Sequence, residues 1–315
     1  MAQEFKNPKY IIVLGTTYSG SGAIFDYLNG RGDLYTPISE EYLLPILPNG
    51  LMSLEAISNK AFDPAITENA ILNFKDTAYK LMNYWTSKID KNDINKKLSL
   101  YKNAINEFID EISSADYPMR LFWQELNKSK VEIFIDKINK FLGFKKNVKT
   151  RLIVSENELV LAAQKMHDKM FLPDSNGLPI LLDQGGSGWN PVESTKYYSN
   201  CKTVIVTRDP RDQFAEIKAY KEGGSVNGFI DWYNEMQRRH KFIKNDNILF
   251  IKFEDFIKDN KNLTKILCQH MSISSSVSSK YQLDISKKNV GKFHQYLDKN
   301  EIFTIESKLS DYIRF

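Results

Sequence analysis

A short apolar run that ends in a glycine-rich turn constrains the fold of this chain more than any other feature. Residues 11–14 have the composition of a buried strand, and residues 15–22 read Gly-Thr-Thr-Tyr-Ser-Gly-Ser-Gly. Residues 23–28 then continue with helical spacing. A strand that turns through glycines into a helix presents backbone N–H groups and the positive end of the helix dipole to an anion. The segment therefore predicts a phosphate-binding loop in an α/β protein, although a turn that only reverses the chain has the same composition.

Three later segments have the composition of strands and alternate with helical segments. Residues 179–182, 203–207 and 248–252 are rich in apolar and β-branched side chains, and each precedes a turn or a polar segment. Strands that alternate with helices form a parallel sheet covered on both faces. We therefore predict a three-layer α/β fold of the P-loop type, with helices at residues 226–245 and 299–312 packed against the sheet.

The stretch from residue 51 to residue 144 differs from the rest because helical periodicity replaces the strand-like pattern. Apolar side chains recur at helical spacing, for example at Ile71, Phe74, Ala78 and Met82. We predict a single domain over residues 1–315, with a large helical insertion at about residues 51–150.

The cysteine content indicates the redox environment of the protein, and the net charge indicates the class of ligand that it binds. Cys201 and Cys268 are too few for a disulfide framework and lack the spacing of a metal site, so we expect a reducing, cytoplasmic environment and no metal. The start of the chain shows no signal peptide, and no stable membrane insertion is expected. The net charge of +4 suits a small anionic ligand, and no nucleic-acid partner is expected. The oligomeric state is left open.

A second candidate anion site follows the strand at residues 203–207. The sequence there continues Arg208-Asp209-Pro210-Arg211-Asp212, and Pro210 is well placed to begin a helix. An arginine at the carboxyl end of a parallel strand faces the crevice where open α/β sheets bind ligands. A guanidinium suits a phosphate through bidentate hydrogen bonds. The alternative is a cluster of charges that only ties the turn to the sheet.

Both motifs resemble those of sulfotransferases that use 3′-phosphoadenosine-5′-phosphosulfate (PAPS) as donor and release PAP. In that family the first strand precedes G-T-x-[KR]-S-G-[ST]-x, and a later strand precedes R-[DN]-P-[KR]-D; residues 15–22 and 208–212 are similar to these patterns. The resemblance implies that Arg208 binds the 3′-phosphate. It also implies a loop that binds the 5′-phosphosulfate, formed by Thr16, Thr17, Tyr18, Ser19, Gly20, Ser21 and Gly22.

Two positions depart from the family pattern. Tyr18 stands where the family has Lys or Arg, and a phenol brings no positive charge to the leaving phosphate. Glu216 stands eight residues after Arg208, where the family usually has Ser. It must turn away from a phosphate, pair with a cation such as Lys218, or mark a different arrangement.

A late basic segment offers a replacement for the missing charge. Residues 286–292 form a predicted loop that is similar in place and composition to the family's nucleotide-covering loop. The resemblance implies that Lys287 or Lys288 supplies the catalytic cation and that Lys288 also contacts the nucleotide. Solvated surface lysines are the alternative.

The remaining site residues are predicted from their position. In the saccharide-modifying branch of the family, which this chain resembles more, a Glu shortly after the first helix is the base; here Glu40 is the first choice and Glu41 the second. Gln184 and Trp189 follow a strand edge and are predicted to bind the acceptor, a small molecule or saccharide, where Trp189 would stack on a sugar.

The sequence supports one leading function and two alternatives. The leading one is a PAPS-dependent O-sulfotransferase that acts on a carbohydrate hydroxyl. A protein on the same scaffold that binds PAP or PAPS without catalysis is one alternative, because Tyr18 and Glu216 occupy two ligand positions. A P-loop-like kinase of a small metabolite is the other, although the loop lacks the lysine that such a kinase requires.

Overall fold

The computed structural model describes residues 8–87, 94–117, 122, 126, 128–143, 150–221 and 224–313. Strands and helices alternate through much of this part of the chain. The strands are β1 (Tyr10–Gly15), β2 (Ser113–Tyr117), β3 (Thr150–Ile153), β4 (Ile180–Asp183), β5 (Cys201–Thr207) and β6 (Ile248–Lys252).

The helices range from one turn to six turns in length. They are α1 (Ser21–Asn29), α2 (Leu51–Lys60), α3 (Pro64–Thr86), α4 (Ile94–Glu111), α5 (Lys130–Phe141), α6 (Glu156–Phe171), α7 (Pro191–Thr195), α8 (Pro210–Ala219), α9 (Val226–His240), α10 (Phe253–Lys258), α11 (Asn260–His270), α12 (Leu283–Lys287), α13 (Phe293–Tyr296) and α14 (Lys299–Lys308). A 3-10 turn, Ser310–Tyr312, follows α14. Two predicted helices therefore end early, at His240 and at Lys308. Among the described helices, none combines the length and apolar character needed to cross a membrane.

The central sheet has four parallel strands in the order β4-β1-β5-β6. In the register of the sheet, Ile12 of β1 lies between Leu182 of β4 and Thr203 of β5. Residues 10–14 of β1 are all fully buried, so both faces of the central strand are covered. The predicted α/β fold with a parallel sheet and helices around it is confirmed.

Helices α1, α10 and α11 pack on one face of this sheet. Ile11 and Val13 of β1 share a core with Ile24 and Leu28 of α1, and Phe256 of α10 joins them. A second core lies between α8, α9 and α14, with Phe214, Phe229 and Ile305 at its centre. The first core fixes the loop between β1 and α1, because it anchors the elements on both sides of that loop.

The chain divides into two compact units, one made of Met1–Pro45 with Phe171–Phe315 and the other of Ile46–Met170. The second unit includes the whole range of the predicted helical insertion, residues 51–150. However, β2 and β3 form a two-stranded antiparallel sheet in it, so the prediction that strands are absent from residues 51–144 is wrong. Strand β2 reads Ser-Ser-Ala-Asp-Tyr, which lacks an alternating apolar pattern and becomes a strand only through pairing with β3. A single domain with one insertion stays a prediction.

Candidate functional site

A cavity of about 670 Å³ opens at the carboxyl ends of the central strands. This is the edge where open parallel sheets bind their ligands. The whole predicted loop at residues 15–22 lines the cavity, and so do Gln184 after β4, Arg208 after β5, and Glu216 of α8. The structure therefore brings the two predicted anion-binding motifs together at one cavity.

The loop owes its shape to two residues with left-handed backbone. Tyr18 has φ of 55° and Gly20 has φ of 84°, and the Ser19 N–H donates to the Thr16 carbonyl at 2.9 Å. A Cβ atom at Gly20 would lie 2.6 Å from a ring carbon of Phe253, so only glycine fits there. The turn delivers the chain into α1, whose first N–H groups have no partner within the helix.

Gln184 holds the loop closed from the neighbouring strand. Its Oε1 accepts from the Gly15 N–H at 3.2 Å, and its Nε2 donates to Ser21 Oγ at 3.0 Å. Gln184 was predicted to contact an acceptor; the structure places it at the cavity wall, where both ends of its amide already bind the loop. Ser19 Oγ is buried and has no hydrogen-bond partner among the described residues, although Ser19 lines the cavity.

Arg208 is buried at the base of the cavity and is held by three acceptors. Its Nη1 donates to the Tyr18 carbonyl at 3.0 Å and to Glu216 Oε2 at 2.8 Å, and its Nη2 donates to the Asn289 carbonyl at 2.6 Å. The guanidinium also lies 5.2 Å from the ring centre of Phe253. Among the three guanidinium nitrogens of Arg208, Nε has no hydrogen-bond partner in the described part of the chain. The arginine thus links the loop to the late segment of the chain.

Glu216 is an ionised carboxylate inside this site. Burial alone would raise the pKa of Glu216, but the charges and hydrogen bonds of Arg208 and Lys292 lower that pKa below its ordinary value. Lys292 Nζ lies 3.1 Å from Glu216 Oε1. The suggested partner Lys218 instead binds Glu301 at 2.8 Å. Glu216 therefore turns toward Arg208 and occupies acceptor positions that an anionic ligand would need.

The late basic segment differs from the predicted loop in structure and in its cations. Residues 283–287 form helix α12, and Lys287 pairs with Asp284 at 2.8 Å in solvent. Neither Lys287 nor Lys288 lines the cavity, whereas Ser286 and Asn289 do.

An acidic side chain on α8 anchors the turn that follows α12. The Asp212 carboxylate accepts the Gly291 N–H at 2.7 Å and the Phe293 N–H at 3.0 Å. This turn brings Lys292 to Glu216, so the predicted segment borders the cavity through Ser286 and Asn289, while Lys287 and Lys288 lie outside the lining.

Carboxylates gather near the end of β4. Glu41 and Asp26 line it, whereas Glu40 does not. Asp183, the last residue of β4, was not predicted; burial, together with the negative charges of Glu41 and Asp26, raises its pKa to about 7. Its Oδ1 is buried without a partner among the described residues. The sequence feature that could have identified Asp183 is its position as an acidic residue at the carboxyl end of a predicted parallel strand.

Two aromatic residues of the predicted site have partners elsewhere in the same unit. Tyr18 stacks on Tyr220 with ring centres 5.1 Å apart and planes 10° from parallel. Trp189 packs edge-on against Trp232 at 5.4 Å and does not line the cavity. The Tyr18 ring is thus turned toward α8, and the indole of Trp189 belongs to the core around α9.

Replacing Asp183 with asparagine is expected to stabilise the fold more at pH 8 than at pH 5. The pKa of Asp183 rises from 3.8 to about 7 on folding, so the folded state holds its proton more tightly and loses stability as pH rises between these values. The gain at pH 8 should exceed the gain at pH 5 by about 2–3 kcal/mol. Denaturant unfolding at both pH values measures it. The exposed Asp246→Asn is the control; a gain for Asp183→Asn that is equal at both pH values would contradict the assignment.

Comparison with known proteins gives structural likeness only. No protein-family model and no curated protein matches the sequence. The sulfotransferase domain of the Synechococcus PCC 7002 olefin synthase is 13% identical, covers 96% of this chain and 86% of its own, and has a TM-score of 0.39. A sulfotransferase domain from the curacin biosynthetic pathway is 12% identical, with 98% and 99% covered and a TM-score of 0.42. These TM-scores are too low to carry an argument about function.

Proposed function

We propose that this chain is a sulfotransferase that binds PAPS in the cavity between the loop at residues 15–22 and Arg208, and transfers its sulfuryl group to a hydroxyl. One observation carries the proposal. Two motifs separated by nearly two hundred residues meet at one cavity, and Arg208 donates directly to the Tyr18 carbonyl of the loop. An anion held by the loop and a second anion held by the arginine match a nucleotide with phosphate groups at both ends.

The loop fits the 5′-phosphosulfate end. The first N–H groups of α1 and the positive end of its dipole favour an anion there. Ser19 Oγ, buried without a partner in the described chain, would donate to a ligand oxygen, which satisfies a group that is otherwise costly to bury. PAPS supplies the activated sulfuryl group, and the loop residues would orient it toward the acceptor.

Arg208 fits the 3′-phosphate only if Glu216 moves. Arg208 Nε has no described partner and could donate to a phosphate, but Glu216 occupies Nη1 of the same guanidinium. A phosphate beside an ionised Glu216 would be repelled. Nucleotide binding therefore requires the Glu216 carboxylate to leave Arg208, and Lys292 is the cation that would retain it.

The acidic side of the cavity suits proton transfer from an acceptor hydroxyl. Glu41 lines the cavity and is the preferred base, whereas Asp183 is not among the lining residues and acts only as a neighbouring charge on that side. Glu40 does not line the cavity. We propose a carbohydrate as acceptor, since carboxylates accept hydrogen bonds from sugar hydroxyls and repel anionic acceptors.

A protein that binds PAP or PAPS without catalysis is the second candidate, and one observation favours it. Three carboxylates, those of Asp26, Glu41 and Glu216, line the cavity with a single guanidinium, so little positive charge faces a leaving phosphate. Catalysis of sulfuryl transfer depends on such charge. Lys292, half-buried beside Glu216, is the nearest described candidate to supply it.

Transfer of a radiolabelled sulfuryl group from PAPS to a panel of sugars and phenols tests the two candidates. A sulfotransferase should label at least one hydroxyl acceptor, with or without EDTA, and Glu41→Gln should lower turnover by about 100-fold while PAP binding is retained. Glu235 of α9 pairs with Arg238 and Arg239, is not among the residues that line the cavity, and provides a control variant, Glu235→Gln. PAP binding without transfer to any acceptor would favour the non-catalytic candidate. Phosphate transfer from ATP that requires Mg²⁺ would favour a kinase and overturn both.

A further inference from the structure

Helix α5 presents apolar side chains to solvent in a way that the proposed catalytic site does not explain. None of its residues is buried, and the helix belongs to the unit without the cavity. Phe134 is 64% exposed and Phe141 is 90% exposed. The other exposed apolar residues of the segment are Val131, Ile133, Ile135, Ile138 and Leu142.

These side chains form a stripe along one side of the helix. Residues 131, 134, 135, 138, 141 and 142 are separated by steps of three, one, three, three and one, which places them on a single face of an α-helix. Polar residues such as Asn139 and Lys140 lie on the other side. We name the six apolar residues the α5 stripe.

Local signals, rather than packing, define where α5 begins. Ser129 and Glu132 form a reciprocal capping box: the Glu132 N–H donates to Ser129 Oγ at 3.2 Å, and the Ser129 N–H donates to Glu132 Oε2 at 2.8 Å. A capping box stabilises the first turn without tertiary contacts. The sequence thus encodes an amphipathic helix, and its apolar face is not buried in a core among the described residues.

Positive charge concentrates around the same helix. Residues 128–149 contain seven lysines and two acidic residues, a net charge of +5, whereas the whole chain carries +4. Lys130 and Lys137 each precede a phenylalanine of the α5 stripe by four residues, so they flank the apolar face. Long lysine side chains in such positions extend their charge toward an anionic surface while the apolar face is buried.

We propose that α5 lies in the surface of an anionic phospholipid membrane, with the α5 stripe among the lipid chains and Lys130, Lys137 and Lys140 at the phosphates. A nucleic acid would contact the lysines but leave the phenylalanines in water. A second copy of the chain would cover the stripe but bring the same positive charge against itself. An anionic lipid surface satisfies both the apolar and the cationic side of the helix.

Co-sedimentation of the full chain with vesicles tests this proposal. Vesicles that contain phosphatidylserine should bind the protein. Vesicles of pure phosphatidylcholine should bind it at least about tenfold more weakly, because the lysines contribute to binding only when the lipid is anionic. The double variant Phe134→Glu/Ile138→Glu should lose binding. The triple variant Lys130→Glu/Lys137→Glu/Lys140→Glu should bind no better to anionic than to neutral vesicles.

Matched controls separate the helix from a general surface effect. Phe303→Glu replaces an exposed phenylalanine elsewhere, and Lys241→Glu/Lys261→Glu/Lys265→Glu makes the same charge change on other elements. Both controls should keep vesicle binding. Equal binding by all variants, or no binding to anionic vesicles, would overturn the proposal. A dimer in analytical ultracentrifugation that the double variant abolishes, without vesicle binding, would assign the stripe to a second copy instead. None of these results depends on PAPS binding.

Discussion

Replacing Arg208 with alanine is expected to abolish measurable PAP binding and to lower the free energy of unfolding by about 3 kcal/mol or more. The loss of an arginine that contacted only a ligand would weaken binding and spare the fold. The structure instead shows Arg208 buried, bonded to the loop, to the Asn289 carbonyl and to Glu216. Removal of the Arg208 guanidinium leaves the partly buried Glu216 carboxylate with Lys292 as its remaining described cation, which destabilises the fold.

A second variant separates binding from folding. Arg208→Ala/Glu216→Ala removes both charges, so it should recover part of the lost stability without recovering PAP binding. Arg238→Ala, at an arginine exposed on α9, should change neither. Calorimetric titration with PAP and denaturant unfolding measure the two effects. PAP affinity in the stable double variant equal to that of the wild type would remove Arg208 from the site.

Replacing Glu216 with serine is expected to raise PAP affinity by about tenfold or more, because a negative charge next to the proposed phosphate position is removed. The change also frees Arg208 Nη1 from its bond with Glu216 Oε2. Serine would also introduce a hydrogen-bond donor at a position where the ionised Glu216 can only accept. Few substitutions at a buried ion pair improve ligand binding. An increase in PAP affinity would therefore be specific evidence that Glu216 competes with a phosphate for Arg208.

Calorimetric titration of Glu216→Ser with PAP, and with AMP as a ligand that lacks the 3′-phosphate, measures this effect. The gain should appear for PAP and not for AMP, since only PAP brings a phosphate to Arg208. Glu235→Ser, at an acid exposed on α9, should leave both affinities unchanged. Weaker PAP binding by Glu216→Ser would mean that Glu216 positions Arg208 for the ligand rather than competing with it.

Sequence reasoning located the elements that depend on local pattern. A strand at residues 11–14, the glycine-rich loop after it and the strand before Arg208 were all predicted, because apolar runs and glycines act over a few residues; the first strand extends over Tyr10–Gly15 in the structure. The parallel arrangement of the strands followed from their alternation with helices, whereas their order in the sheet was not predicted. That Arg208 faces the ligand crevice followed from its place at the carboxyl end of a parallel strand.

Contacts between distant segments could not be predicted in the same way. Lys292 reaches Glu216 because Asp212 holds the turn at residues 291–293, and no local pattern encodes that anchoring. Strand β2 exists through pairing with β3. The raised pKa of Asp183 depends on burial and on two acids from other segments. Each of these features depends on contacts between residues that are distant in the sequence, so local composition and spacing do not predict it.

The most direct test of the central claim is calorimetric titration of the wild-type chain with PAP, beside AMP and ATP. The proposed site predicts one PAP per chain, without added metal, and an affinity for PAP at least about tenfold greater than for AMP, because only PAP carries the phosphate that Arg208 would hold. Absence of PAP binding, or binding of ATP with Mg²⁺ in preference to PAP, would contradict the claim that this cavity holds a 3′-phosphorylated nucleotide.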